Sequence, residues 1–468
     1  MDQAHAQGTA SAAQLIAARL DRLPVSPWHI RVRLILGIAT FFDAVDLLAI
    51  SFALPAIAGP WQLSPQQIGM VISAAFAGQL IGALVAGWAA EMFGRLRTVV
   101  IATALFSIMS LACAFAWDAQ SLAAFRFIQG IGLGGEVPVA TTYIIEIARQ
   151  HGRGRFYILY ELVFVFGLVI AGLLGYVMVP RLGWQSMFYL GAVPAILAVF
   201  LTRLLPESPR WLASQGRVAE AEQIISQIER RIEASGQKLP PVRLPAQFPE
   251  SAGASPSPAV PLRRRWFEML DGAYRRRTLG VWAMWFCCFS TIYGLNSWMP
   301  TLYRVNFHLP LSQSLGYGLI VQVCGIAGAM LCAFTVDKIG RRVCFTGALL
   351  GGGVTLLILA ALGADSATML LVFVSIGSFF MSAVAIGLNL YTAEIYPTRI
   401  RAFASSIGGA WQRIAAATGP NVVAYLLTGP GLTAVFSYFG VIAIIGAAVA
   451  ARFTVETKEQ PLESASAP

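Results

Sequence analysis

Charge is scarce in this chain. Asp, Glu, Lys and Arg make up 12% of its 468 residues, against roughly 25% in soluble domains. Apolar residues account for 57% and the mean hydropathy is +0.68, which excludes a protein whose whole surface faces water. Histidine is rarer still, with four in all. His29 and His308 fall at the ends of apolar segments, His5 and His151 in polar ones, so neither a proton relay of histidines nor a metal cluster is suggested. The six cysteines (Cys113, Cys287, Cys288, Cys324, Cys332, Cys344) have neither metal-ligand nor paired external spacing and read as reduced packing residues. No phosphate loop and no nucleophile with an adjacent base can be found, so neither an enzyme nor a cofactor nor a metal site is expected. The first 21 residues lack the basic, apolar and small-residue order of a secretory signal.

The formal net charge is +10, but the basic residues sit in short runs between apolar segments rather than along one face. That excludes nucleic acid as a partner and implies a lipid bilayer.

Apolar runs of about 20 residues, enough to cross a hydrocarbon core of about 30 Å, recur near 33–57, 68–91, 98–116, 120–147, 155–178 and 183–205, then near 277–299, 314–336, 343–362, 368–391, 402–427 and 431–452. An all-α membrane protein of twelve spans is expected, in two six-helix bundles. Five segments follow: 1–32, with a short amphipathic helix over Ala12 to Leu23; a first bundle, 33–205; a connecting loop, 206–276; a second bundle, 277–452; and a tail, 453–468. The loop holds a helical stretch, Val218 to Ile232, and a Pro/Ser-rich linker, Leu239 to Pro261. Arg95, Arg97, Arg149, Arg153, Arg155, Lys338, Arg341, Arg342, Arg399 and Arg401 occupy the even-to-odd connections, and the opposite ones hold only Arg181 and Arg304. The positive-inside rule then puts both termini in the cytoplasm, as in a multi-pass protein of the inner membrane.

The two bundles repeat each other. Glu91-Met92-Phe93-Gly94-Arg95 answers to Asp337-Lys338-Ile339-Gly340-Arg341. Glu146 with Arg153 seven residues on answers to Glu394 with Arg401 seven residues on. Arg203, Glu207 and Ser208 answer to Arg452, Glu456 and Thr457. Duplicated halves are the architecture of secondary transporters, with the substrate between them near the midplane. The repeated acids and arginines are expected to act as a cytoplasmic gate, as ion pairs between the halves when the cavity faces outward. Solvated charges that only fix topology are the other reading.

These motifs resemble the major facilitator superfamily over nearly the whole chain. Gly87 to Arg97 is similar to its signature loop, with Glu91 where Asp is usual, and Pro206 to Leu212 is similar to the motif closing the first half of sugar-porter-like members. Gly134-Gly135-Glu136-Val137-Pro138-Val139-Ala140, Arg153-Gly154-Arg155 with Glu161, and Phe42-Asp43-Ala44-Val45-Asp46 resemble the bacterial nicotinate carriers, a branch related to organic-ion transporters. That resemblance implies a small organic anion as substrate and a proton as partner. Aromatic-acid/proton symporters share the paired Asp and compete with it.

An ionised side chain at mid-membrane costs about 2.5–3.5 kcal/mol on insertion scales, so each such residue asks for a role. Asp43 and Asp46 share one face of the first span, with Asp46 about 20 Å along it. In the resemblance Asp46 matches the first-helix acid of proton-coupled sugar porters, and Arg126 its partner. Asp46 is expected to carry the proton and Arg126 to tune it; a permanent salt bridge is the alternative. Glu136 is the second protonation candidate. Glu161, about 10 Å into its span, is read as a gate residue in preference to a site residue.

Arg413 is the only arginine well inside the second bundle. Its fixed charge and forked geometry suit a carboxylate, and in the resemblance an arginine here marks anion carriers. A structural partnership with an acid of the first half is the bland alternative. Trp285, Phe289, Tyr293 and Asn296 fall on one stripe of the seventh span, able to stack a flat ring or only to pack. Gln322 and Asn389 add hydrogen-bonding groups. The expected function is proton-coupled import of a nicotinate-like or benzoate-like monocarboxylate by a monomer. A sugar symporter is disfavoured because Cys287-Cys288-Phe289-Ser290 stands where paired glutamines would. A drug/proton antiporter is disfavoured because Phe166 to Gly175 lacks a Gly-Pro element. A receptor that binds without transport would not need the gate charges.

Overall fold

The computed structural model describes residues 14–148, 153–242, 267–396 and 398–458. Twelve long helices dominate it: α1 Pro27–Ile57, α2 Pro65–Phe93, α3 Arg95–Ala114, α4 Ala119–Ile147, α5 Arg153–Leu182, α6 Gln185–Leu204, α7 Gly272–Val305, α8 Leu311–Ile339, α9 Arg341–Ala361, α10 Ala367–Glu394, α11 Thr398–Thr428 and α12 Leu432–Phe453. Ten of them are long and apolar enough to cross a membrane; α4 and α11 match them in length only. These two are also the helices that carry Arg126, Glu136, Arg413 and much of the interior polarity. Most helices overrun the apolar runs, since backbone hydrogen bonding continues past the last apolar residue. The excess is largest at α7, which starts at Gly272 and not near 277.

Local chemistry sets several boundaries. Ser64 Oγ accepts from Gln67 N at 3.3 Å while Ser64 N donates to Gln67 Oε1 at 2.9 Å, a reciprocal cap that starts α2 with Pro65 in its first turn. Asp118 and Ser121 start α4 in the same way. Val193 interrupts α6 just before Pro194, whose ring cannot continue the hydrogen-bond ladder.

Helices α2 and α4 touch backbone to backbone. A Cβ at Gly78 or Gly82 would strike the α4 backbone at Phe127 or Ile131, and one at Gly130 or Gly134 would strike α2 at Ala75 or Gln79. Small residues here allow the close approach that membrane helices use for packing. The second half repeats this, with Gly328 of α8 against the Phe379 carbonyl of α10.

The buried apolar residues fall into three clusters. One, containing Leu54, Ile72 and Phe188 with Trp298, Tyr303 and Phe436, joins both halves at the end away from the basic connections. The other two lie at the basic end and each stays within one half, around Tyr143 and Trp211 in the first and around Phe345 and Tyr391 in the second. Polar bonds between halves are Asn421 Nδ2 to Ser73 Oγ at 2.8 Å, Gln66 Nε2 to Thr428 Oγ1 at 3.1 Å and Gln322 Nε2 to the Leu168 carbonyl at 2.7 Å.

The connecting segment docks under the first half. Helices Pro209–Ser214 and Val218–Ala234 share the apolar cluster of Tyr143 with Ile16 and Leu20 of a helix over residues 14–21. Arg19 and Arg22 both reach Glu229, at 2.5 and 2.6 Å, and Arg210 reaches Asp21 at 2.8 Å. The linker from 243 to 261, His5, His151 and Arg149 lie outside the described residues, as do the side chains of Arg153 and Arg401.

The cysteines are free, as expected, but not all isolated: Cys332 Sγ of α8 and Cys344 Sγ of α9 are 3.6 Å apart. Twelve residues of sequence separation hid a contact that the α8–α9 turn creates.

Candidate functional site

Two buried polar groups occupy the interior of the first half. In the first, Arg126 Nη1 of α4 lies 3.3 Å from Asp46 Oδ2 of α1, and the two side chains are 1% and 0% exposed. The same nitrogen donates to Gln129 Oε1 at 2.9 Å, and Ser110 Oγ of α3 donates to Asp46 Oδ1 at 2.9 Å. A Cβ at Gly191 of α6 would collide with Asp46 Oδ1 and Ser110 Oγ, so glycine there lets α6 close over the pair. Arg126 Nε and Gln129 Nε2 have no partner among the described residues.

The second group centres on Glu136. Thr40 Oγ1 of α1 donates to Glu136 Oε1 at 3.3 Å and pairs with the Tyr160 hydroxyl of α5. Glu136 Oε2 is buried without a partner among the described residues. Glu161 bonds to Tyr157 and Thr141 and lies within electrostatic range of Glu136. It therefore lies among the interior acids, and the side chain of Arg153 lies outside the described residues. Asp43 lies among these charges, within range of Glu136, Asp46 and Glu161 of its own half and of Arg413 across the interface.

In the second half, Arg413 of α11 is half-buried and donates from Nη1 to its own helix, at the Gly409 carbonyl 3.1 Å away. Its Nε has no partner, and among the described residues no carboxylate reaches it within 4.0 Å. Tyr293 and Asp43 are the groups that feel its charge. The α7 aromatics form a continuous stack: Trp285 and Phe289 at 5.0 Å and 11°, Phe289 and Tyr293 at 5.9 Å and 28°, with Phe76 of α2 4.8 Å from Tyr293. Gln412 Nε2 donates to the Tyr293 hydroxyl at 3.1 Å.

A cavity of about 510 Å³ lies between the halves, lined by Phe289, Tyr293, Asn296, Gln322, Asn389 and Gln412 amid apolar side chains of α1, α5, α7 and α8. Asn296 Oδ1 is buried there and has no partner among the described residues. Two expected substrate residues are not on this wall. Trp285 is 2% exposed and spends its indole N–H on Thr392 Oγ1 at 3.1 Å, because its turn of α7 faces α10. Arg413 is likewise absent from the wall, whereas its neighbour Gln412 is on it.

The repeated charges at the basic end form two matching clusters. Arg95 Nε meets Glu146 Oε1 at 3.1 Å, and Arg341 Nη2 meets Glu394 Oε1 at 2.9 Å. Glu207 accepts from the backbone of Arg95 and Leu96 at the start of α3, and Glu456 from that of Arg341 and Arg342 at the start of α9. Burial raises the Glu456 carboxyl, but those backbone donors and Arg341 outweigh it and hold it below the usual range. Ser208 bonds Glu146 and Thr457 bonds Glu394. These ion pairs stay within each half; pairing between the halves is expected only when the cavity faces outward, and here the apolar clusters at the basic end are separate. Asp337 pairs with Arg341 at 2.8 Å and is 73% exposed, while Glu91 is exposed and meets no cation among the described residues.

Sequence reasoning missed Thr40, Tyr160, Ser110, Gln129 and Gln412. Tyr160 and Gln412 each stand next to a charged residue that drew attention, and adjacent helical residues point in different directions.

Residues 37–467 match the family described as sugar (and other) transporter. The chain belongs to that family. The transporter is 31% identical over 450 residues to the niacin transporter NiaP of Acinetobacter baylyi, covering 96% of this chain and 99% of that one. It is 30% identical to the 4-hydroxybenzoate transporter PcaK of the same organism, covering 88% of this chain and 87% of that one. A partially occluded, inward-open structure of the xylose transporter XylE from E. coli superposes with a TM-score of 0.68 at 21% identity, covering 92% of this chain and all of that one, which shows the shared major facilitator fold. The protein is thus a multi-pass inner-membrane transporter and not an enzyme.

Proposed function

We propose that this transporter imports a small organic anion, an aromatic monocarboxylate of the nicotinate or hydroxybenzoate kind, together with a proton and by alternating access. The observation that carries this reading is Arg413, a half-buried guanidinium in the second half with no carboxylate within reach among the described residues, beside the Phe289–Tyr293 stack. An arginine left without its own anion is suited to a substrate's carboxylate, with the aromatic faces beside it for the ring. The relatives named for niacin and 4-hydroxybenzoate support the same substrate class.

Asp46 and Glu136 are the proton sites in this reading, with Asp43 within electrostatic range of both and of Arg413. Arg126 holds Asp46 as an anion in one state, and its displacement as the halves rock leaves the acid to take a proton. Alternating access is supported by the unequal cores: one shared apolar cluster at one end, separate clusters at the other. The separated basic end is the cytoplasmic one by the charge rule, so both termini are cytoplasmic and the cavity faces inward. The charge clusters Glu91, Arg95, Glu146, Arg153 and Glu207, and Asp337, Arg341, Glu394, Arg401 and Glu456, re-pair between the halves when that end closes.

A sugar symporter is the second reading, favoured by the amides of Asn296, Gln322, Asn389 and Gln412 on the cavity wall. Uptake into proteoliposomes separates the two. Radiolabelled nicotinate and 4-hydroxybenzoate are expected to accumulate only with an inward proton gradient. Hexose accumulation without either acid would leave the sugar reading standing alone.

A further inference from the structure

Of the six free cysteines, only Cys332 and Cys344 have sulfurs in contact among the described residues, 3.6 Å apart at the α8–α9 turn. The others differ in kind: Cys113, Cys287 and Cys288 are buried, and Cys324 is half-buried. The two thiols of the pair are also unequal. Cys344, in the first turn of α9, is partly accessible, while Cys332 is 2% exposed beneath it. Arg341, one turn away on α9, is within electrostatic range of both sulfurs. It is also the residue that ties the turn to Glu394 and Asp337.

We infer that Cys332 and Cys344 form an oxidisable dithiol, a modification site in which Cys344 reacts first and Cys332 resolves. A low-molecular-weight disulfide such as oxidised glutathione serves as oxidant. The Cys344 thiolate attacks one of its sulfurs, breaking that S–S bond, forming a mixed disulfide and releasing one glutathione thiol. The Cys332 thiolate then attacks Cys344 Sγ, forming the internal disulfide and releasing the second glutathione thiol. The protein loses two electrons and two protons, and the glutathione disulfide gains them. The sulfurs must close by about 1.5 Å to reach bonding distance. The product is a staple across Lys338, Ile339 and Gly340, which restrains the turn carrying Arg341. In the orientation of the proposed function, on which this rests, the pair lies toward the reducing cytoplasm, is reduced at rest and responds when the thiol pool is oxidised.

The test is exposure of the full-length protein in detergent micelles to oxidised glutathione, followed by intact mass, peptide mapping and hydrogen exchange. The expected result is a loss of two hydrogens, a 332–344 linked peptide, several-fold slower amide exchange over residues 338–344, and reversal of all three by dithiothreitol. Cys332→Ser is expected to retain a glutathione adduct on Cys344, and Cys344→Ser to retain none. Free thiols at both positions, a lasting adduct on Cys344 in the unsubstituted protein, or a linkage through another cysteine would each overturn the assignment. A linked peptide with unchanged exchange over the turn would overturn the restraint.

Discussion

Arg126 holds Asp46 at 3.3 Å in a place where neither side chain meets solvent. The acid is further fixed by Ser110, and the arginine by Gln129. Eighty residues apart in sequence, they join α1 to α4 at the heart of the first half. An arrangement of this kind can be a permanent brace or a switch, and substitution distinguishes them.

If the pair is a switch, Asp46→Asn is expected to abolish gradient-driven accumulation while leaving exchange of labelled for unlabelled substrate. Normal accumulation by Asp46→Asn would remove it from the proton path. Arg126→Ala instead leaves a buried charge unpaired, at a cost of about 3–5 kcal/mol. Its monodisperse peak in size-exclusion chromatography should shrink, and the Asp46→Asn/Arg126→Gln double substitution should restore it.

Arg413→Ala is expected to weaken carboxylate binding by about 2 kcal/mol or more, roughly thirty-fold in Kd, with expression retained. Arg413→Lys should recover only part, since an ammonium cannot grip a carboxylate with two parallel bonds. Scintillation proximity with labelled nicotinate measures this, and an unchanged affinity in Arg413→Ala would take the residue out of the site.

Gly94 and Gly340 are equivalent turns, with φ of +108° and +95°. At each, a Cβ would collide with the carboxylate that caps the next helix, Glu207 or Glu456. Either alanine substitution should cost about 1–3 kcal/mol from backbone strain alone. Thermal unfolding followed by tryptophan fluorescence should register the loss, and Gly87→Ala, which has open space around it, should not.

Docking of helix Val218–Ala234 should depend on pH through Glu229. Burial raises that carboxyl, but the bonds and charges of Arg19 and Arg22 prevail and hold it below 4.5. A group depressed on folding stabilises above its unfolded pKa and loses that contribution as pH falls through the folded one. Amide protection over residues 218–234 should therefore fall between pH 5 and pH 3, an interval of about two units around the free carboxyl. Glu229→Gln should lower protection at pH 7 and flatten the profile, and an unchanged profile would place the pH response elsewhere.

Much of the architecture was legible in the chain. Hydrocarbon thickness sets the least length of a span, and the repeated Gly94-Arg95 and Gly340-Arg341 turns recur because the two halves solve one capping problem. Asp46, Glu136 and Arg413 stood out because charge is costly in lipid. Their partners did not, since Thr40, Ser110 and Gln129 are ordinary residues in an ordinary helix until another helix packs against them. Trp285 and Phe289 looked alike on one stripe, yet one packs against α10 and the other lines the cavity.

By itself the sequence determined the twelve helices, their duplication and the need for a lipid solvent, since these follow from local composition and from periodicity. Only the tertiary structure decided which charges meet: Arg126 with Asp46, Arg341 with Glu394 inside its own half, and Arg413 with no carboxylate among the described residues. Burial and pairing depend on which helices are neighbours, and helices far apart in the chain become neighbours only through packing.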